Sequence, residues 1–108
     1  MIELRLPFPP SVNDMYLKGR VISPAYKAWR EHAGLTLNRQ VARPFTGRCD
    51  IRIDLDDTHQ GDADNRAKPV LDLLVSHRVI GNDNKSHVRR VSIGWEHVTG
   101  CRVIITKA

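Results

Sequence analysis

The sequence has little of what marks secreted, zinc-binding and membrane proteins. It has only two cysteines, Cys49 and Cys101, which stand 52 residues apart and outside any CxxC spacing. This argues against a disulfide scaffold and against a structural zinc site. No apolar run approaches the 18 residues of a membrane span, and the first residues lack the apolar stretch of a signal peptide. We therefore expect a reduced, cytoplasmic protein without a membrane partner.

The length and the charge of the chain further restrict the class of protein. A chain of 108 residues without repeats, low-complexity segments or linkers predicts a single domain over residues 1–108. Seventeen Lys and Arg against twelve Asp and Glu leave a net charge of +5. The isoelectric point is near 9.7. Such a balance favours an acidic partner, either nucleic acid or an anionic membrane surface.

The charge is distributed unevenly along the chain. Residues 50–72 contain seven acids and three bases, a net charge of −4, whereas the rest of the chain has a net charge of +9. An acidic segment in a basic protein suits a metal-dependent enzyme acting on a polyanion, because carboxylates hold cations against the phosphates that the basic surface attracts. The alternative is a solvent-facing strand surface and loop. We favour that alternative for four acids: Asp50, Asp54, Asp56 and Asp57.

Hydrophobic periodicity predicts six elements in the order β-α-β-α-β-β. The first helix begins after a Ser23-Pro24 pair, which is a good helix start, and the second contains Pro69, which predicts a displaced start or a small kink. The predicted ranges are strand 2–6, helix 24–42, strand 49–56, helix 64–76, strand 88–96 and strand 102–106. The order predicts one α+β (mixed α/β) domain with two helices and a mixed sheet, three of whose strands are antiparallel.

The run GDADNRAK at residues 61–68 is the part of the sequence that indicates chemistry. If Asp64 caps the second helix, its carboxylate lies at the positive end of the helix dipole, and Lys68 and Asp72 follow at four-residue intervals on the same face. Carboxylates crowded in this way repel one another unless a cation lies between them. Mg²⁺ binds one or two carboxylates together with water and a substrate phosphate. The alternative is a helix cap with a spare acid.

Two motifs resemble the RusA family of Holliday-junction resolvases. The first is DxDNxxK at residues 62–68, with Asp83 following 21 residues after Asp62. The second is LPFPPSVN at residues 6–13, after which several further positions agree: Tyr16, Gly19, Arg20, Ser23, Trp29 and Arg30. The resemblance extends from about Leu6 to Val88, and two motifs in the right order are far more specific than either alone. One departure is Asn82, since the family often has a second acid before the third catalytic aspartate.

The resemblance implies a homodimeric, Mg²⁺-dependent endonuclease that resolves four-way DNA junctions by paired symmetric nicks. Asp62, Asp64 and Asp83 match the family's metal-binding catalytic aspartates, and Lys68 matches its active-site lysine. The bound Mg²⁺ would polarise the phosphate and lower the pKa of the attacking water. The lysine would stabilise the extra negative charge of the transition state. A two-fold dimer supplies the two sites that symmetric cuts require. No small-molecule cofactor is expected.

Several other residues are expected to assist. Asn65 and Asp72 are supporting residues, Asp72 as the salt-bridge partner of Lys68 rather than as a metal ligand. The residues expected to contact DNA are Asn13, Lys18, Arg20, Arg89 and Arg90. The alternative for Asn13 is a turn residue. A single exposed arginine is more often merely solvated, and only the summed charge of +9 makes the basic group persuasive.

Two alternative functions stay open. One is a metal-dependent nuclease for other branched DNA, such as flaps or replication forks. The other is a non-catalytic, basic nucleic-acid-binding module whose acids are structural. For a junction resolvase we expect a cytoplasmic, nucleoid-associated protein of a bacterial or phage-infected cell.

Overall fold

The computed structural model describes residues 1–41 and 43–108, and the predicted order of strands and helices is confirmed there. The main elements are β1 (Ile2–Leu6), α1 (Pro24–Gln40), β2 (Cys49–Asp56), α2 (Ala67–Ser76), β3 (Val88–Glu96) and β4 (Cys101–Lys107). Two short 3₁₀ helices cover Val12–Asp14 and Ala63–Arg66. The molecule is a small α+β domain with a mixed sheet and two helices. No helix in these ranges is both long and apolar enough to cross a bilayer.

The sheet has the strand order β1-β4-β2-β3. Strand β4 is antiparallel to both β1 and β2, whereas β2 and β3 are parallel. A parallel pair needs a crossover connection, because a tight turn reverses the chain direction. That connection runs from residue 57 to residue 87 and includes α2. The DxDNxxK motif therefore lies in the crossover between the two parallel strands.

The helices cover one face of the sheet. Strand β2 contributes the alternating residues predicted from its sequence, and each is at most 1% exposed: Cys49, Ile51, Ile53 and Leu55. Helix α1 contributes four buried side chains of the predicted apolar face: Tyr26, Trp29, Ala33 and Leu37. Burial raises the pKa of the Cys101 thiol to about 12, which keeps it protonated and unreactive.

Helix α1 begins where its sequence predicts and ends slightly earlier. The Ser23 hydroxyl accepts a hydrogen bond from the Tyr26 N–H at 3.1 Å, and Pro24 is the first helical residue. The helix ends at Gln40, and Val41 already has an extended backbone. Ala42, the last residue of the predicted helix, lies outside the described residues. The Gln40 side chain bonds the backbone N–H and C=O of Arg5, both at 2.7 Å, and so ties the helix end to β1.

The second helix has the displaced start that Pro69 predicts. The chain forms the 3₁₀ helix Ala63–Arg66 first and enters α2 only at Ala67. Pro69 is then the third residue of α2, where a backbone N–H has no partner within the helix to lose. The expectation that Asp64 caps this helix is wrong. Asp62 occupies the cap position of the 3₁₀ helix, without a side-chain hydrogen bond.

The polar face of β2 differs from the expected solvent-facing surface. Asp54 is only 2% exposed. Its carboxylate accepts hydrogen bonds from Arg52 Nε at 2.9 Å and from Arg102 Nε, on the adjacent β4, at 2.8 Å. Asp50 is bound in turn by Arg89. Both acids therefore pair with arginines of the sheet, because a buried carboxylate needs a paired charge. The expectation that Asp54 belongs to a solvent-facing strand surface is wrong.

The connection between β3 and β4 crosses the end of β2. The Asp56 N–H donates to the Gly100 carbonyl at 3.0 Å, and the Asp56 carboxylate accepts from the Gly100 N–H at 3.1 Å. Gly100 has a φ of +69°, and an added Cβ would lie 2.6 Å from the Leu6 carbonyl oxygen, so only glycine fits. Asp56 thus fixes the point at which the chain leaves β2 for the DxDNxxK motif.

We predict that Asp54→Ala lowers the free energy of unfolding by about 3 kcal/mol, because it leaves Arg102 without its buried partner. The Arg102 side chain is only 25% exposed, so water compensates the loss poorly. Asp50→Ala is the matched control on the same strand face, and its partner Arg89 is 48% exposed. Asp50→Ala should therefore lower the free energy of unfolding by much less. Urea denaturation of the unaltered protein and the two variants measures both changes in stability. Equal changes would contradict the role assigned to Asp54.

Candidate active site

Lys68 and Asp72 form the ion pair that their spacing predicts. Lys68 Nζ donates to Asp72 Oδ1 at 3.0 Å, one turn apart on α2. This bond is the main reason why the pKa of Lys68 is raised, and the negative charges of Asp72, Asp83 and ionised Tyr16 raise it further. Lys68 is therefore a cation at neutral pH. Asp83, which lies 15 residues further along the chain, is close enough for its charge to act on this lysine.

The three aspartates of the predicted metal site are all exposed. Asp62 precedes the 3₁₀ helix Ala63–Arg66, Asp64 lies in its first turn, and Asp83 lies in the loop between α2 and β3. Within residues 1–41 and 43–108, none of their carboxylates has a hydrogen bond or an ion pair. Their oxygens are therefore available to a ligand, unlike those of Asp54 and Asp72.

The loop that carries Asp83 is shaped by Asn82. The Asn82 side-chain oxygen accepts hydrogen bonds from the N–H groups of Asp83, at 2.7 Å, and of Asn84, at 3.1 Å. Asparagine and aspartate both form turns of this kind. Asn82 thus uses its side-chain oxygen on the backbone of the loop, and the carboxylate of Asp83 is exposed.

The donor chemistry of this region fits Mg²⁺, although the three carboxylates do not form a closed ligand set. In the described part of the chain, no group of three or more His, Cys, Asp or Glu side chains could hold a metal ion. Mg²⁺ does not require one, because it binds through one or two carboxylates and completes its shell with water and substrate phosphates. The exposed, unpartnered oxygens of Asp62, Asp64 and Asp83 are ligands of the kind that it prefers.

Arg66 joins the two segments that carry the family resemblance. Its Nη1 donates to the Pro9 carbonyl at 3.0 Å and its Nη2 to the Gln60 carbonyl at 3.4 Å. Its guanidinium lies 5.0 Å from the centre of the Phe8 ring, which stacks on His59 at 3.7 Å. The N-terminal segment therefore packs directly on the DxDNxxK motif. Sequence reasoning missed Arg66 and Phe8, because Arg66 and Pro9 are 57 positions apart and no local pattern indicates their contact.

The residues expected to contact DNA fall into two places. Asn13 lies in the 3₁₀ helix Val12–Asp14, which packs against both α2 and the 3₁₀ helix of the motif. Lys18 and Arg20 follow in an exposed turn next to it. Arg89 and Arg90 lie at the start of β3, beside Asp50.

This second place is remote from the motif. Asp50 and Asp56 are separated by about 20 Å along β2, and the motif follows Asp56. The bond to Asp50 also compensates the charge of Arg89 within the sheet. The structure brings Asn13 to the motif and leaves Arg89 at the far end of the strand. Asn65, the remaining supporting residue, is half-buried in the motif, and its N–H donates to the Asp62 carbonyl at 3.3 Å.

Comparison with known proteins adds no relative: no protein-family model matches the chain, and a search of curated proteins finds no significant match.

The pKa of Lys68 tests the geometry of this site. We predict that Asp72→Asn lowers it, because the hydrogen bond to Asp72 is the main cause of its elevation. Asp83→Asn should lower it by less, and Asp57→Asn, outside the site, should leave it unchanged. Titration of the labelled lysine side-chain carbons by NMR measures the pKa of Lys68 in all three variants and in the unaltered protein. Because the folded pKa is raised, the stability gained from the pair is present at neutral pH and is lost as the pH rises through that pKa. A Lys68 pKa indifferent to Asp72 would contradict the pairing.

Proposed function

We propose that this protein is a Mg²⁺-dependent endonuclease of the RusA type, which resolves four-way DNA junctions by hydrolysing phosphodiester bonds. The observation that carries the proposal is the position of Lys68. This lysine is held as a cation by Asp72 and lies within the electrostatic reach of Asp83, on the helix that follows Asp62 and Asp64. The arrangement combines a fixed positive charge with acids that have no partner in the described residues.

Each residue has a distinct task in this proposal. Asp62, Asp64 and Asp83 would hold Mg²⁺, which when bound polarises the phosphate and acidifies water. One donor of the Lys68 ammonium is used by Asp72, so two remain for the oxygens of a phosphate. There the ammonium stabilises the charge that develops as the bond breaks. Asp72 fixes the direction of the lysine, and Arg66 holds the motif against the N-terminal segment.

The remaining parts of the proposal follow from the reaction. Two symmetric nicks need two sites, which a two-fold homodimer of this one-site chain would supply. A net charge of +5 supports the attraction of DNA. A junction resolvase would act in the cytoplasm, at the nucleoid.

A second candidate is a basic DNA-binding module without catalysis. It is favoured by the ion pairs of β2, where Asp50 and Asp54 serve the sheet rather than a metal. It accounts less well for the three exposed carboxylates of Asp62, Asp64 and Asp83, because carboxylates without partners repel the phosphates that such a module binds.

Cleavage of defined substrates tests the proposal. We predict paired, symmetric nicks in a synthetic mobile four-way junction in Mg²⁺, and none in EDTA or in a linear duplex of the same sequence. Asp64→Asn and Asp83→Asn should lower the rate by about a hundredfold or more. Asp57→Asn, which removes an exposed acid outside the motif, should cleave normally. Junction binding in EDTA should be retained or tightened in Asp64→Asn, because a carboxylate that repels phosphate is removed.

Two results would contradict the proposal. Junction binding without cuts in any divalent metal would favour the DNA-binding module. Equal cleavage by Asp64→Asn and the unaltered protein would remove the motif from the reaction. Cleavage of flaps or forks in preference to four-way junctions would be consistent with the proposed metal site but would contradict the proposed substrate.

A further inference from the structure

Residues 16–22 form a tight hairpin at the surface, which we call the tip hairpin. Tyr16 and Ile22 form an antiparallel bridge, and the Leu17 N–H donates to the Val21 carbonyl at 2.6 Å. The turn between them contains Gly19 and Arg20, with φ values of 80° and 65°. Both lie in the left-handed region that short hairpin turns require, and glycine enters that region freely. The tip is therefore a defined turn, with Lys18 and Arg20 on it.

The tip hairpin exposes apolar side chains to an unusual extent. Seven large hydrophobic residues are exposed in the described chain, and four of them belong to this hairpin. Tyr16 is 49% exposed, Leu17 53%, Val21 58% and Ile22 37%. Single exposed apolar residues are normal on a protein surface, whereas a contiguous group marks an interaction site.

The segment that contains this apolar group has a net positive charge. Residues 14–31 contain four bases, Lys18, Arg20, Lys27 and Arg30, and two acids, Asp14 and Glu31, and both bases of the hairpin itself lie on its tip. A partner of complementary chemistry must therefore offer both negative charge and apolar faces. Phosphates and base faces of DNA meet this description, but only where the bases are unstacked, since a continuous duplex hides their faces.

The position of the hairpin favours DNA over other partners of that chemistry. Tyr16 lines a groove of about 770 Å³ between α1 and α2, and the same groove is lined by Asp72, the partner of Lys68. The Tyr16 ring packs edge-on against Tyr26 at 6.1 Å, which anchors the base of the hairpin. A DNA strand with a phosphate at Lys68 would thus extend its neighbouring nucleotides past the hairpin.

We propose that the tip hairpin recognises the branch point, with Leu17 and Val21 packed against unstacked bases and Lys18 and Arg20 on the flanking phosphates. The proposal rests on the proposed function and extends it, because it assigns the preference for branched over continuous DNA to apolar side chains. The two basic residues, already expected to contact DNA, bind any backbone. Leu17 and Val21 contact bases only where the stack is interrupted.

Binding in EDTA tests this assignment without requiring cleavage. Fluorescence anisotropy compares the affinities of a four-way junction and a duplex of the same sequence. We expect the double variant Leu17→Ser, Val21→Ser to lose about tenfold in junction affinity and to keep its duplex affinity. Val91→Ser, at an exposed apolar position on β3, is the control and should change neither.

A second variant separates charge from apolar contact. Arg20→Gly keeps the turn, because glycine accepts a φ of 65° more readily than arginine does. It should weaken junction and duplex binding alike. The dependence of both affinities on salt concentration should also fall, by the equivalent of about one released counterion. Because this variant relieves strain, its effect does not come from unfolding of the hairpin.

Several outcomes would overturn the assignment. One is an equal loss of junction and duplex affinity in the double variant, and another is no loss at all. If the double variant instead dissociates a dimer in ultracentrifugation with junction affinity intact, the face is an interface between two copies. Loss of binding to anionic vesicles alone would make it a membrane contact. One further outcome separates the two proposals: a hairpin-dependent junction preference in a protein that never cleaves would overturn the proposed nuclease but support the assignment of the hairpin.

Discussion

Strand β2 pairs in parallel with β3, and this pairing determines where the candidate functional residues lie. Parallel strands are joined by a long crossover, so residues 57–87 leave the sheet after Asp56 and return to it only at Val88. The candidate residues Asp62, Asp64, Lys68, Asp72 and Asp83 all belong to this one connection. Its start is fixed by Asp56 and the Gly100 crossing, and its course by the 3₁₀ helix and α2. The candidate site is thus a property of the crossover rather than of the sheet.

The N-terminal segment completes the site from outside the crossover. Arg66 binds the Pro9 carbonyl, and the Phe8 ring contacts both the Arg66 guanidinium and the imidazole of His59. Two motifs far apart in the sequence are therefore in direct contact. This contact gives a physical reason for their joint occurrence in the sequence, because the Pro9 carbonyl oxygen of the proline-rich segment accepts a hydrogen bond from Arg66 of the DxDNxxK motif.

The sequence predicts the local features of this structure well and its long-range features poorly. Alternation of apolar and polar residues predicts β2 correctly, and the Ser-Pro pair predicts the start of α1. The four-residue spacing of Lys68 and Asp72 predicts their hydrogen bond. The burial of Asp54 depends on Arg102, 48 positions away, and the spacing of one strand contains no information about its neighbour. Pro69 indicates a displaced helix start, but not that a 3₁₀ helix fills the gap and removes Asp64 from the cap position.

The proposed function depends most on the proposal that Asp62, Asp64 and Asp83 supply carboxylate ligands to a divalent cation. Paramagnetic broadening of backbone amide NMR signals by Mn²⁺, a substitute for Mg²⁺, tests it most directly. We expect broadening at two segments, around residues 62–66 and around Asp83, which is lost in Asp64→Asn and retained in Asp57→Asn. Broadening at only one of these segments, or centred on the acids of β2, would contradict it.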